Sequence, residues 1–109
     1  MSEAPTHTWI GKSGNEYKYW IYKIGTSLKK EGGNYIFAKE TSPGVWSPQY
    51  MGQTKNLDER LDGHEKEACA KRNGATHIHA HLNGTEQKRL DEEQDLVGKW
   101  KPTCNEQLK

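Results

Sequence analysis

The sequence has 109 residues, 31% of them hydrophobic, and a mean hydropathy of −1.12, which leaves room for one compact domain with a modest core. Four Trp, five Tyr and one Phe supply much of the surface available for burial and argue against disorder. Lys and Arg number 16 against 15 Asp and Glu, a net charge of +1 that speaks against tight non-specific binding of nucleic acid. Any phosphate-binding surface must then come from uneven placement, as with Lys55, Arg60, Lys66, Lys71 and Arg72 around one helix. Cys69 and Cys104 form no C-x-x-C pair, no zinc cluster and no disulfide scaffold. The start carries no basic segment followed by an apolar run, and no stretch reaches the length of a membrane span. A cytoplasmic protein with no membrane partner is expected.

Residues 1–16 contain Pro5, Gly11 and Gly14 and read as a flexible arm, leaving 17–109 as a single domain. Tyr17 to Ile24 is rich in aromatic and β-branched residues and predicts a strand. A polar loop follows to Gly33, and Asn34 to Lys39 predicts a second strand. Ser42-Pro43-Gly44 supplies turn chemistry, and Pro48 limits how early a third strand, Gln49 to Gln53, can begin. Asn56, with Glu59 three residues on, predicts a capped helix from Leu57 to about Lys71, ending near Asn73-Gly74. Thr76 to Leu82 alternates strictly, with Ile78, Ala80 and Leu82 on one face and His77, His79 and His81 on the other, a strand pattern. A last helix runs from Thr85 or Glu86 to Trp100, closed by Pro102. This order predicts an α+β domain with a small central, mainly antiparallel β-sheet flanked by helices.

At roughly 100° per residue, Leu57, Leu61 and Ala68 share a stripe with His64 in its middle and Arg60 at its edge. On the last helix, Leu90, Leu96, Val97 and Trp100 define an apolar face into which Glu93 points, while Glu92 and Asp95 point elsewhere. A carboxylate aimed at a core must be paired, hydrogen-bonded, metal-bound or neutralised. Periodicity alone favours a structural Glu93–Arg60 ion pair and a hydrogen-bonded core His64.

More specific is the order of short motifs. Gly33-Asn34-Tyr35 and Tyr50-Met51-Gly52 resemble the paired triplets of the GIY-YIG nuclease superfamily, with fifteen residues from Tyr35 to Tyr50. Tyr50 to His64 is similar to that family's second triplet, polar turn and arginine-bearing helix. Glu93 to Val97, then Pro102 and Asn105, resembles its C-terminal signature, so the likeness spans residues 33–105. Two positions depart from the pattern: Asn34 stands where an apolar residue is usual, which an edge strand facing solvent would tolerate, and Met51 replaces Ile or Val. Residues 1–32 lie outside the motif, with an extra strand, a substrate contact and a dimer contact as the readings left open.

The resemblance implies an endonuclease that hydrolyses phosphodiester bonds in DNA or another nucleic acid. It implies one Mg²⁺ or Mn²⁺ held by Glu93, Arg60 on the scissile phosphate, and Tyr35 and Tyr50 as catalytic tyrosines. A phenol titrates near 10, so a general-base tyrosine needs help, and His64 is expected to give it as hydrogen-bond partner or proton acceptor. Asn105 is expected to fix a neighbouring side chain or backbone, and Lys55 to touch phosphate. The H-x-H-x-H ladder is read as the polar side of a half-buried strand and left outside the site. A recruiting protein or a homodimer are the further partners considered. The alternative reading is a module on the same fold that grips nucleic acid or protein without cutting.

Overall fold

The computed structural model describes residues 5–61 and 64–105. Five strands, β1 (Thr6–Ile10), β2 (Glu16–Lys23), β3 (Gly33–Ser42), β4 (Val45–Thr54) and β5 (His77–Leu82), form one sheet in the order β1-β2-β5-β3-β4. Every pairing is antiparallel. Three helices, α1 (Leu57–Leu61), α2 (Glu67–Arg72) and α3 (Glu86–Trp100), and a 3-10 turn (Thr103–Asn105) complete an α+β domain.

The sheet has a core on each face. Tyr35, Phe37, Ile78 and Ala80 pack with Leu57, Cys69, Ala70 and Cys104 on the side of α1 and α2. Trp9, Tyr19, Ile36, Ala38 and Met51 pack with Leu96 on the side of α3. β5 lies between β2 and β3, with Ile78 and Ala80 in the core of one face and His79 against Trp9 on the other. The expected polar histidine face is therefore corrected: His79 is fully buried. Its Nδ1 accepts a hydrogen bond from Trp9 Nε1 at 3.0 Å.

That bond also corrects the flexible arm expected over residues 1–16. Thr6-His7-Thr8-Trp9-Ile10 is a strand paired with β2, and Trp9 is its buried anchor. The turn after it closes on Asp95 of α3, whose carboxylate accepts from Ser13 N (2.8 Å), Ser13 Oγ (2.7 Å) and the Tyr17 hydroxyl (2.7 Å). Asp95 thus has partners that helix periodicity alone could not supply.

β4 starts earlier than expected because Pro48 is accommodated. Phe37 pairs with Tyr50 and Ala38 with Pro48, so Gln49 is the extra residue of a bulge on an edge strand, where a missing N–H is tolerated. Asn34, in contrast, is not on a solvent-facing edge. β3 lies between β5 and β4, Asn34 is buried, and its Nδ2 donates to the Arg89 carbonyl at 3.0 Å.

The single helix expected over 57–71 is two short ones. Asn56 caps α1 as expected, its Oδ1 accepting from Glu59 N at 3.1 Å. His64 lies outside both helices and its Nδ1 accepts the Lys66 N–H at 2.8 Å, a local bond that competes with helical pairing. The helical stripe therefore fails past Leu61: Ala68 is exposed, and Cys69 and Ala70 are buried in its place. Helices of five and six residues hold no stability of their own and depend on docking.

Part of that docking is covalent. Cys69 of α2 and Cys104 of the 3-10 turn form a disulfide across 35 residues, a pairing their wide spacing gave no reason to expect. Closing a loop of that size stabilises a fold by about 4 kcal/mol in the chain-entropy picture. Reduction by dithiothreitol, or Cys69→Ala with Cys104→Ala, is expected to lower the unfolding free energy by about 2–4 kcal/mol. Urea titrations of the oxidised and reduced protein measure this, and coincident midpoints would contradict it.

Candidate active site

Tyr35 projects from β3 and Tyr50 from β4 onto the face covered by α1 and α2, with ring centroids 6.2 Å apart. Two glycines make the arrangement possible. A Cβ on Gly52 would lie 2.6 Å from the Tyr35 hydroxyl, and one on Gly33 would lie 2.2 Å from the His81 carbonyl oxygen and 2.7 Å from Leu57 Cδ1. The glycine of each triplet is thus a close-approach position, one beneath a tyrosine ring and one beneath α1.

His64 closes over both rings, at centroid distances of 5.4 Å from Tyr35 and 5.3 Å from Tyr50. Its Nε2 is 2.7 Å from the Tyr35 hydroxyl. Burial, helped by the nearby Arg60 charge, pulls the imidazole down to about 4, so it is neutral near pH 7. Nδ1 already accepts from Lys66 N, so the single proton of the neutral ring sits on Nε2 and is donated to Tyr35.

The two tyrosines differ in access. Tyr35 is 1% exposed, and burial pushes its hydroxyl far above the ordinary 10.0. Tyr50 is half-buried. Its hydroxyl is also raised, first by burial and then by the Glu93 charge, but Arg60 and a hydrogen bond from Tyr35 pull it back.

Arg60 reaches the cluster from the last turn of α1. The ion pair expected with Glu93 is absent. Arg60 instead makes two 2.7 Å bonds to both oxygens of Glu65, a residue the sequence had not marked. These bonds pull the Glu65 carboxyl down to about 2 and hold Arg60 more firmly protonated than usual.

On α3 the buried face is Arg89, Glu92 and Leu96: of the expected Leu90, Leu96, Val97 and Trp100 face, Leu96 is buried and Val97 partly so, while Leu90 and Trp100 are exposed. Glu92, expected to point elsewhere, is the buried carboxylate, accepting from the Tyr19 hydroxyl and lying 2.7 Å from His81 Nε2. Glu93 falls on the margin of that face, half-buried. It makes no hydrogen bond or ion pair with the described residues, and burial alone raises its pKa. Its charge is nonetheless felt at Tyr35 and Tyr50.

Asn105 sits beneath β4. Its Oδ1 accepts from Met51 N at 2.7 Å and its Nδ2 donates to Met51 O at 2.8 Å, clamping the backbone between Tyr50 and Gly52. Lys55 is exposed in the turn before α1, with no ion pair among the described residues. Lys71 is paired with Glu67 at 3.1 Å, so the basic row expected along one helix is interrupted. The histidines of β5 have separate partners: Thr76 for His77, Trp9 for His79 and Glu92 for His81. Tyr35, Tyr50 and His64 are in ring contact, Arg60 and Glu93 lie where their charges act on both tyrosines, and Asn105 sits behind.

A half-buried carboxylate without a protein partner fits a hard divalent cation that keeps most of its waters. Among the described residues no group of three or more His, Cys, Asp and Glu could hold a metal ion.

No family model matches the sequence, and no curated protein matches it. Among solved structures, the chain is similar to the GIY-YIG N-terminal endonuclease domain of UvrC from Thermotoga maritima. One point mutant bound to its catalytic divalent cation shares 25% identity at a TM-score of 0.57, over 70% of this chain and 83% of that one. A second shares 27% identity at the same TM-score, over 71% and 84%. The magnesium-bound form shares 23% identity, also at 0.57, and supports the fold.

Acid titration tests the buried histidines. His64 and His79 have folded pKa values of about 4 and about 3, below the ordinary 6.5, so folding favours their neutral forms. That stabilisation is whole above pH 6.5 and is lost as pH falls toward 4 and 3. Glu93 acts in the opposite sense, because its raised pKa adds stability as it protonates. The two histidines outweigh it, so the urea midpoint is expected to fall between pH 6.5 and pH 4. A midpoint that climbs through this window would refute their neutral burial.

Proposed function

We propose that this chain, which carries the fold of the GIY-YIG nuclease superfamily, is a divalent-metal-dependent endonuclease that hydrolyses phosphodiester bonds in nucleic acid, with DNA as the first substrate to test. The observation that carries this reading is Glu93: a half-buried carboxylate with no partner among the described residues, whose charge acts on both tyrosines. A structural role would have paired it, as Glu92 and Asp95 are paired.

Glu93 would hold Mg²⁺ or Mn²⁺. When bound, such an ion acts as a Lewis acid on a phosphoryl oxygen and on the leaving oxygen. Tyr50 is the tyrosine with access to solvent: after losing its own proton to solvent it would orient the attacking water as a phenolate and accept that water's proton, returning to the neutral hydroxyl. Arg60 lowers the cost of forming that phenolate beforehand and offsets charge developing on the phosphate.

Tyr35, buried and hydrogen-bonded to His64, works through Tyr50 by donating its own hydroxyl proton toward it. His64 serves as a hydrogen-bond donor, since its Nδ1 is already engaged, and proton acceptance is the weaker of its two expected roles. Lys55 remains a proposed phosphate contact at the mouth of the site.

A module that grips without cutting is the second reading. The closed Arg60–Glu65 pair favours it, because it occupies the guanidinium edge that a phosphate would need. Cleavage of supercoiled plasmid, single-stranded DNA and RNA, with Mg²⁺ or with chelator, separates the two. Cleavage is expected to require metal and to fall at least a hundredfold in Glu93→Gln and Tyr50→Phe, a loss of about 2.7 kcal/mol or more. Undiminished cleavage in Glu93→Gln would remove the site assignment, and no cleavage of any substrate would leave the binding module.

A further inference from the structure

Residues 17–30 carry Lys18, Lys23, Lys29 and Lys30 and no acidic residue, in a chain whose net charge is only +1. The same segment holds three tyrosines and Trp20. Along β2, Lys18, Trp20 and Tyr22 point to one face, and register fixes which face that is. Trp20 pairs with Ala80, Ala80 with Tyr35, and Tyr35 with Gly52, so Trp20 and Tyr35 lie in one row across the sheet. Two strand spacings separate them, roughly 10 Å. The row between is low, because the intervening residue is an alanine.

A groove of about 390 Å³ opens there, floored by Ala80 and lined by Lys18, Trp20, Tyr22, Lys29 and Leu57. Leu57 begins α1, the helix that also carries Arg60, so the groove and the site share that helix and the Trp20–Ala80–Tyr35 row. Trp20 and Tyr22 are half-buried rather than covered. Lys18 Nζ stands 5.1 Å over the Trp20 ring, and neither Lys18 nor Lys29 is in an ion pair among the described residues. Aromatic faces flanked by unpaired cations suit a strand whose bases stack and whose phosphates are negative. A closed duplex keeps its bases stacked on one another and offers no face to these rings.

We propose that Trp20 and Tyr22, with Lys18 and Lys29, form a platform for an unpaired stretch of nucleic-acid strand beside the cleavage site. The inference rests on the nuclease reading for the origin of that strand, but it is tested by binding alone. The whole protein is titrated with a twelve-residue oligothymidylate, and with a duplex of the same length, in chelator. The oligothymidylate is expected to quench tryptophan fluorescence and to bind more tightly than the duplex. Trp20→Leu is expected to weaken its binding about tenfold or more. Because Trp20 is half-buried, the surface pair Lys18→Gln with Lys29→Gln gives a second measure. It is expected to reduce the slope of log K against log salt by about 1.4, at about 0.7 per phosphate contact.

Unchanged affinity and salt slope in these variants, equal binding of duplex, or no binding of oligothymidylate by the parent protein would each overturn the platform. Measurement in chelator keeps the readings apart, since binding is then read without cleavage. Trp20-dependent binding without any cleavage leaves the platform and removes the nuclease. Cleavage without Trp20-dependent binding does the reverse.

Discussion

A tyrosine hydroxyl carried into the middle of a sheet face needs a partner, because an unsatisfied buried hydroxyl costs about 1–3 kcal/mol. Tyr35 finds His64, and much of the molecule is arranged around that 2.7 Å contact. Gly52 is bare so that the ring can lie across β4. The helical segment breaks so that His64 can turn inward, and the Lys66 N–H fixes which nitrogen of the imidazole faces the tyrosine. The bond thus joins the sheet to the α1–α2 segment and sets the proton inventory of the site together.

The sequence made some of this legible and hid the rest for physical reasons. Strands β2, β3 and β5 and helix α3 followed from alternation, β-branched and aromatic content, and end signals. The candidate site residues were singled out by the order of motifs rather than by their helical phase. His64 is buried as expected, yet by a turn and not by helix periodicity. Glu93 is half-buried without a partner among the described residues, yet it lies on the margin of the buried face and not at its centre. In the first helical segment the regular phase is lost because the His64 ring accepts the Lys66 N–H, and on α3 it is turned because Arg89 and Glu92 find buried partners. β1 was hidden because Pro5, Gly11 and Gly14 outweighed a short run whose value depends on distant partners, His79 and Asp95.

Helix α3 divides its polar residues by task. Arg89 is buried, with Nε on Gln53 at 3.0 Å and a terminal nitrogen on the Asn83 carbonyl at 2.9 Å, while its own carbonyl accepts from Asn34. Glu92 is spent on Tyr19 and His81, and Asp95 on the hairpin turn. These bonds pin the helix along its length, from the β3–β4 end to the N-terminal hairpin. They fix its rotation, and Glu93 is what that rotation leaves over. Asn34, the departure from the apolar pattern, belongs to the scaffold that aims this carboxylate.

The Cys69–Cys104 link has a mechanical meaning as well. It closes a ring containing β5 and α3, with Glu93 inside it and Tyr35, Tyr50, Arg60 and His64 on the chain before it. Tension applied through the two ends would pass from Cys104 directly to Cys69 and leave the ring slack. At about 3.5 Å per extended residue, roughly 120 Å of chain is hidden from such a pull. A molecule drawn taut along a strand or through a narrow opening would yield first at β1 to α2, while β5 and α3 stay in one closed loop.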